Sequence, residues 1–146
     1  MVIGMKAVVI TALTILFLNA SALAKPLSFP PQKSGVVQFT TPAKEVGCTY
    51  IPFDGAGGID TGTGSQPELH CYRLSGKFDA ASLGPSTKAL RLKVEGKLEC
   101  CKGRNVLAYG ATWATNNYSC TAFNGGITCR RKAHGFSLSR TVLERW

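Results

Sequence analysis

Apolar and polar residues alternate over most of the chain with the short period of β-strands. The clearest example is Ala89–Cys101, where Leu90, Leu92 and Val94 alternate with charged residues. A period of two places the three apolar side chains on one face, which we expect to be buried. Beyond residue 35 no helical periodicity is found, apart from Thr141–Trp146, which reads either as a short helix or as a final strand.

The alternation predicts about eight short strands. Glycine, proline and asparagine separate the apolar segments, and the glycine-rich stretch Phe53–Gln66 is predicted to be a loop. This pattern is typical of an all-β fold, a small antiparallel sandwich or barrel. The candidate strands are Val36–Thr40, Val46–Ile51, Leu69–Leu74, Phe78–Lys88, Ala89–Cys101, Val106–Trp113, Tyr118–Phe123, Ile127–Arg131 and Gly135–Arg140.

The beginning of the chain has the three-part pattern of an export signal. Lys6 supplies a positive charge, Ala7–Leu18 is an apolar run, and Ala22–Ala24 has the small residues of a cleavage site. The run is shorter than the roughly 20 residues that span a bilayer, so no membrane span is expected after cleavage. We therefore predict a signal peptide at 1–24, a flexible or extended leader at 25–35, and one β domain at 36–146 in the periplasm or outside the cell.

All six cysteines follow the predicted signal peptide. An even number of cysteines in a small exported domain indicates disulfides, whereas metal sites need characteristic ligand spacings. The sequence has no Cys-x-x-Cys pair, and His70 and His134 stand in no zinc-finger arrangement. No metal and no cofactor is predicted.

The sharpest geometric prediction concerns Cys120 and Cys129. Asn124-Gly125 is a strong signal for a type I′ hairpin turn, and it lies midway between the two cysteines. With that turn, Cys120 and Cys129 form a pair without backbone hydrogen bonds, with Cα atoms about 4.5 Å apart. That distance is at the short end of the disulfide range. Gly126 would also permit a slip of one residue, which would place the cysteines on opposite faces.

The other four cysteines are less constrained. Cys48 and Cys71 flank the glycine-rich loop and are predicted to form a second disulfide-pinned hairpin, a weak internal repeat of the first. Adjacent residues on a strand point to opposite faces, so Cys100 is expected to be buried and Cys101 exposed. Three alternatives remain for this pair: two separate thiols, an exchange with the other bridges, or a bond from Cys101 to another chain.

The net charge of +9 favours binding to anionic surfaces. Loss of Lys6 with the signal peptide removes one of these charges. Outside the inner membrane the matching partners are envelope anions such as lipopolysaccharide or anionic phospholipid, or a protein partner, and nucleic acid is not expected. The possible anion-binding residues are Arg130, Arg131, Lys132 and Arg140.

No catalytic residues are predicted. His134 lies near Ser137 and Ser139, but the sequence lacks the surrounding motif and oxyanion hole of a serine hydrolase. The two aspartates of the 54–64 loop do not match a calcium-ligand spacing. The leading hypothesis is a non-enzymatic binding or accessory domain. The alternatives are a small envelope hydrolase using His134 and a periplasmic inhibitor protein.

Five segments occur in an order that resembles a known family. They are VQFTTPAKEVGCTY, ELHCYR, LAYG, SCTAFNGGITCRR and HGFSLSR, and together they cover most of the chain from about Val36 to Arg140. The family is an uncharacterised group of small secreted bacterial cysteine-containing proteins, a domain of unknown function. The resemblance implies export, disulfides and a compact domain, and it implies no reaction, ligand or partner.

Overall fold

The structure is a computed structural model that describes residues 24–74, 79–86, 88–93, 101 and 105–146. Within these ranges the chain forms ten β-strands in two five-stranded antiparallel sheets, packed as an open sandwich. The all-β class is therefore confirmed, with the sandwich rather than the barrel. The predicted signal peptide lies outside the described residues apart from Ala24. In the described part, no helix has the length and apolarity needed to cross a bilayer.

Each sheet is a meander whose strands follow chain order. The first sheet contains β1 (Val37–Thr40), β2 (Val46–Ile51), β3 (Glu68–Arg73), β4 (Asp79–Leu83) and β5 (Leu90–Lys93). The second contains β6 (Thr112–Thr115), β7 (Tyr118–Phe123), β8 (Gly126–Arg131), β9 (His134–Ser139) and β10 (Leu143–Arg145). The tail is thus a strand, and the total exceeds the predicted eight.

The segment that precedes each meander pairs with the edge strand of the other sheet. The Leu27 amide donates to the Thr112 carbonyl at 2.7 Å, which adds a short parallel bridge beside β6. In the same way, the Leu107 amide donates to the Thr40 carbonyl at 2.8 Å beside β1. The two exchanges cover the free edges of β1 and β6, which would otherwise expose unpaired backbone groups.

The leader is extended and held against the sandwich. Besides the Leu27 bridge, the Phe29 ring lies 5.6 Å from the Phe39 ring, measured between centroids. Backbone hydrogen bonds and an aromatic contact thus hold Leu27 and Phe29 in place.

Alternate residues of both sheets point inward and form one core. Its aromatic part is a chain of rings whose neighbouring centroids lie 4.9–5.7 Å apart, comprising Phe29, Phe39, Trp113, Tyr50 and Tyr118. Such tilted and edge-on contacts are favourable for aromatic rings. The buried Tyr118 hydroxyl donates to the Pro67 carbonyl at 2.8 Å, and burial raises the pKa of Tyr118 to about 12.

Both predicted disulfides are present at the centres of the two sheets. Cys48 pairs with Cys71 across β2 and β3, and Cys120 pairs with Cys129 across β7 and β8. All four residues have no solvent exposure. The bridges meet in the core, where the Sγ atoms of Cys71 and Cys129 are 3.8 Å apart.

The register of the β7–β8 hairpin is confirmed, but its turn type is not. Phe123 faces Gly126 and Cys120 faces Cys129, as predicted. A type I′ turn needs positive φ at both central residues, and here only Gly125 has one, at 99°. The turn with two positive φ angles is Asn116–Asn117, between β6 and β7.

Two expectations about the stretch Ala89–Cys101 are wrong. Leu90 pairs with Ser82 on the side of the first sheet that faces away from the core, and it is 52% exposed. Leu92 lies on that same outer side. Cys101 is buried and disulfide-bonded rather than an exposed thiol. It has a φ of 68°, outside the extended region, so strand alternation does not apply to it. Cys100 lies outside the described residues.

The contact between the bridges predicts disulfide exchange. In the double variant Cys48→Ala/Cys120→Ala, the two remaining thiols at the centre belong to Cys71 and Cys129, whose Sγ atoms are already 3.8 Å apart. We expect them to oxidise to a new bridge joining the two sheets, since a small shift brings the sulfurs to bonding distance. Peptide mapping by mass spectrometry without reduction detects the linked peptides.

The matched control is Cys48→Ala/Cys71→Ala, which also removes two cysteines but leaves the Cys120–Cys129 bridge complete. The control should show only the native second bridge in this region. Two free thiols in oxidised, folded Cys48→Ala/Cys120→Ala protein would contradict the prediction.

Candidate functional site

The outer faces of the two sheets are equivalent in position but differ in exposure. In the first sheet, Thr49 and Ile51 are buried although they point away from the core. Cys101 contributes to this cover, because its side chain packs directly on Gly47. A Cβ atom added to Gly47 would lie only 2.5 Å from the Cys101 Sγ. We call this side the covered face. The outer residues of the second sheet remain partly or fully exposed, except for Gly126 and Gly135, and we call that side the open face.

A row of hydroxyl groups crosses the open face. One residue from each of four neighbouring strands aligns in register, in the order Thr112, Thr121, Thr128 and Ser137. The hydroxyls of Thr112 and Thr121 are 2.7 Å apart, and that of Thr128 is 3.3 Å from Ser137. Because a hydroxyl both donates and accepts, the row retains hydrogen-bonding capacity toward a ligand.

An aromatic ring lies at each end of the open face, in the space over a glycine. The Cζ atom of Phe123 is 2.7 Å from where a Cβ of Gly126 would be, and Cζ2 of Trp146 is 2.7 Å from the same position at Gly135. Glycine is therefore required at both positions for the rings to pack against the strands. Gly135 faces Arg130, four residues from Gly126 on β8, so the rings are about 13 Å apart along the strands.

Arg130 lies between the hydroxyl row and Trp146. Its guanidinium carbon is 5.8 Å from the Trp146 ring centroid, within the range of a cation–π contact. A depression of about 460 Å³ on this face is lined by Ser119, Thr121, Phe123, Thr128 and Arg130. Glu144, also on this face, faces Ser137 in the register.

The structure separates the four predicted anion-binding residues. Arg130 is on the open face, whereas Arg131 points inward, with its guanidinium 5.3 Å from the Tyr118 ring. Lys132 is in the β8–β9 turn. The Arg140 amide bonds to Gly125 at the opposite end of β8, roughly 17 Å away. Arg140 also pairs with Glu45, so it does not share one patch with the other three.

The residues weighed for a hydrolase are not brought together. His134 pairs with Arg131 at the start of β9 and points to the inner side, as Phe136 and Leu138 do. Ser137 and Ser139 point to the open face, on the other side of the same strand. Strand alternation thus places the histidine and the serines on opposite faces.

Sequence reasoning missed a buried carboxylate with several hydrogen-bond donors, that of Glu45. Its carboxylate is 2% exposed and accepts hydrogen bonds from the Thr41 hydroxyl at 2.5 Å, the Tyr109 hydroxyl at 2.7 Å and the Arg140 guanidinium at 3.2 Å. Burial raises the pKa of Glu45, but these bonds and one from its own backbone outweigh burial and lower the pKa to about 2.

The Glu45 cluster brings together residues from three of the sequence segments quoted above. Thr41 and Glu45 belong to VQFTTPAKEVGCTY, Tyr109 to LAYG, and Arg140 to HGFSLSR. These segments are far apart in the chain and meet only after folding. Glu45 follows the charged Lys44 in a polar stretch, so no local pattern of the sequence marks it as buried.

Neither possible metal group fits an ion. The Asp54 carboxylate accepts backbone bonds from Thr61 at 2.6 Å and Gly62 at 3.2 Å, which lower its pKa and close the glycine-rich loop on itself. The sulfurs of Cys48, Cys71 and Cys129 lie within 4.8 Å of one another. Each is already in a disulfide, which removes the thiolate that metals bind.

Comparisons with known proteins return no match: no family model, no curated protein and no solved structure is similar enough to this chain.

The Glu45 cluster predicts acid-sensitive stability. Because the pKa of Glu45 is lower in the folded state, its contribution is complete above pH about 4.5 and is lost as the pH falls toward about 2. Glu45→Gln should lower the free energy of unfolding at pH 7 by about 2 kcal/mol, as expected for hydrogen bonds to a buried charge. Urea unfolding of both proteins at pH 7, 4 and 2.5 measures the difference, which should shrink toward zero.

Glu144→Gln serves as the control, because Glu144 is exposed on the open face. This variant should match the wild type at pH 7. Equal stability of Glu45→Gln and wild type at pH 7, or a difference that does not fall with pH, would refute the proposed role of Glu45.

Proposed function

We propose that this protein is an exported, non-catalytic binding domain whose open face holds an acidic polysaccharide chain. The observation that carries the proposal is the arrangement of that face, with a row of hydroxyls and Arg130 between two aromatic rings. Aromatic rings support the apolar face of a sugar ring, and hydroxyls and a guanidinium exchange hydrogen bonds with its substituents.

The shape of the face supports an extended ligand rather than a small one. The two rings are about 13 Å apart along the strands, a span longer than one sugar ring. The groups between them are polar and small, so a chain can lie across them without steric obstruction. A protein partner is less favoured, because the described part of the open face lacks the contiguous apolar patch that marks protein interfaces.

Charge supports an acidic chain. The net charge is +9, and Arg130 is exposed at the centre of the face. A guanidinium binds carboxylate and sulfate groups with two parallel hydrogen bonds, which are stronger than bonds between neutral groups. The field of the whole protein would also bring a polyanion to the surface faster.

Export remains part of the proposal and rests on two observations. The first 24 residues have the signal-peptide pattern, and the core contains disulfides. Together they favour the periplasm or the extracellular space, where envelope and host polysaccharides are available.

Binding to heparin, a soluble acidic polysaccharide, tests the proposal. Arg130→Ala should weaken binding at least tenfold, since it removes a charge-assisted contact, and Trp146→Ala should weaken it by a similar factor. Isothermal titration calorimetry at two salt concentrations measures the dissociation constants. Uncharged dextran should bind much more weakly than heparin.

Lys88→Ala is the matched control, because Lys88 is an exposed positive charge just before β5 of the first sheet. It removes the same charge without touching the open face and should change affinity less than twofold. Equal weakening by Lys88→Ala and Arg130→Ala would mean that binding depends on net charge alone. Absence of saturable heparin binding by the wild type would overturn the proposal.

A further inference from the structure

A second concave site lies at the rim of the covered face. It is a cleft of about 400 Å³ between the glycine-rich loop and the turn that joins β4 to β5. Its volume falls in the range of small-molecule sites. The residues that matter for its chemistry are Thr61, Thr63, Gln66, Glu68, Ser82 and Leu90.

A hydrogen-bonded line along β3 ends in this cleft. Glu68 Oε1 is 3.0 Å from His70 Nε2, and His70 Nδ1 is 3.0 Å from the Tyr72 hydroxyl. The three side chains project from the same face because they are two residues apart. Glu68 and His70 have side chains only 11–12% exposed, and burial, with the charge of Glu68, raises the pKa of Tyr72.

The contact with His70 occupies one oxygen of the Glu68 carboxylate, Oε1. Within the described part of the chain, Oε2 of Glu68 accepts no hydrogen bond, and Glu68 lines the cleft. The Oε2 atom keeps contact with solvent, so its hydrogen-bonding capacity is available to a molecule in the cleft.

Ser82 is the second polar group and belongs to a different strand. It lies on β4 directly opposite His70, is 2% exposed, and lines the cleft. Its hydroxyl makes no hydrogen bond to any described residue and keeps contact with solvent. It is therefore available to a molecule that enters the cleft.

The charge of the cleft selects the ligand. None of the lining residues that the structure describes is positive, although the protein as a whole is basic. The lining offers the carboxylate of Glu68, hydroxyls of Thr61, Thr63 and Ser82, and the apolar side chain of Leu90. This set matches a ligand with several N–H donors, a positive charge and a short apolar body.

We propose that this cleft binds a small organic ammonium ion. The ammonium group pairs with the free carboxylate oxygen of Glu68 and donates a second hydrogen bond to the Ser82 hydroxyl. His70 holds the carboxylate in place, and the carbon chain of the ligand contacts Leu90. The site is independent of the open face, so either proposal can fail without the other.

The first experiment needs only the wild-type protein. 1,4-Diaminobutane and uncharged 1,4-butanediol are titrated into ¹⁵N-labelled mature protein, and amide shifts are followed by NMR. We expect saturable shifts at Ser82 and in the 61–66 loop with the diamine, and at least tenfold weaker binding of the diol. Equal binding of the two, or shifts confined to other surfaces, overturns the proposal.

Variants then assign the contacts. Glu68→Gln keeps the size and the hydrogen bond to His70 but removes the charge, and it should weaken diamine binding at least tenfold. Ser82→Ala should weaken it about fivefold. Asp60→Asn is the matched control, because Asp60 is an exposed acid of the same loop that does not line the cleft. It should bind like the wild type, and equal loss in all three variants would show nonspecific charge attraction.

Discussion

The two disulfides meet at the centre of the molecule, where the sulfurs of Cys71 and Cys129 are in contact at 3.8 Å. Each bridge joins directly opposite residues on neighbouring strands of one sheet. Their side chains therefore point to the inner side, and the two inner sides can only face each other. The aromatic chain from Phe29 to Tyr118 continues the same interior layer. Each bridge fixes the register of the two strands that it joins. The remaining strands of each sheet add on either side of that pair.

The sandwich consists of two similar halves. Each half is a five-stranded meander with its disulfide between the second and third strands. The segment that precedes each meander pairs with the edge strand of the other half. Even the outer rows correspond, since Thr49 and His70 occupy the positions of Thr121 and Thr128. The halves differ mainly in what covers them. One outer face is buried at Thr49, Ile51 and Ser82 and has a polar cleft at its rim, whereas the other is open.

The Glu45 cluster joins distant parts of the chain through one buried carboxylate. Its carboxylate connects the turn after β1 to the segment before β6 and to the end of β9. Hydrogen bonds from Thr41, Tyr109 and Arg140 replace those that the carboxylate would make with water, which explains why it stays ionised although it is buried.

Local rules were sufficient for much of the fold. Alternation of apolar residues identified most strands, and the distance of Cys120 and Cys129 from the Asn124-Gly125 turn was enough to set their register. The same rules failed for Leu90, because alternation specifies that two faces differ but not which face meets the core. They failed for Cys101 because its positive φ lies outside the extended region, so alternation does not apply to it. Arg130, Arg131, Lys132 and Arg140 were candidates because they are close in sequence, and the fold separates them by strand side and strand end.

By itself, the sequence determined the β-class, the two hairpin bridges and the basic charge, all of which depend on neighbours along the chain. Only the tertiary structure decided which outer face stays open, that Phe123 and Trp146 bracket the hydroxyl row, and that Glu68 and Ser82 share a cleft. These features bring together residues from different strands and loops. Their positions depend on how the sheets are covered and packed, which no local pattern of residues encodes.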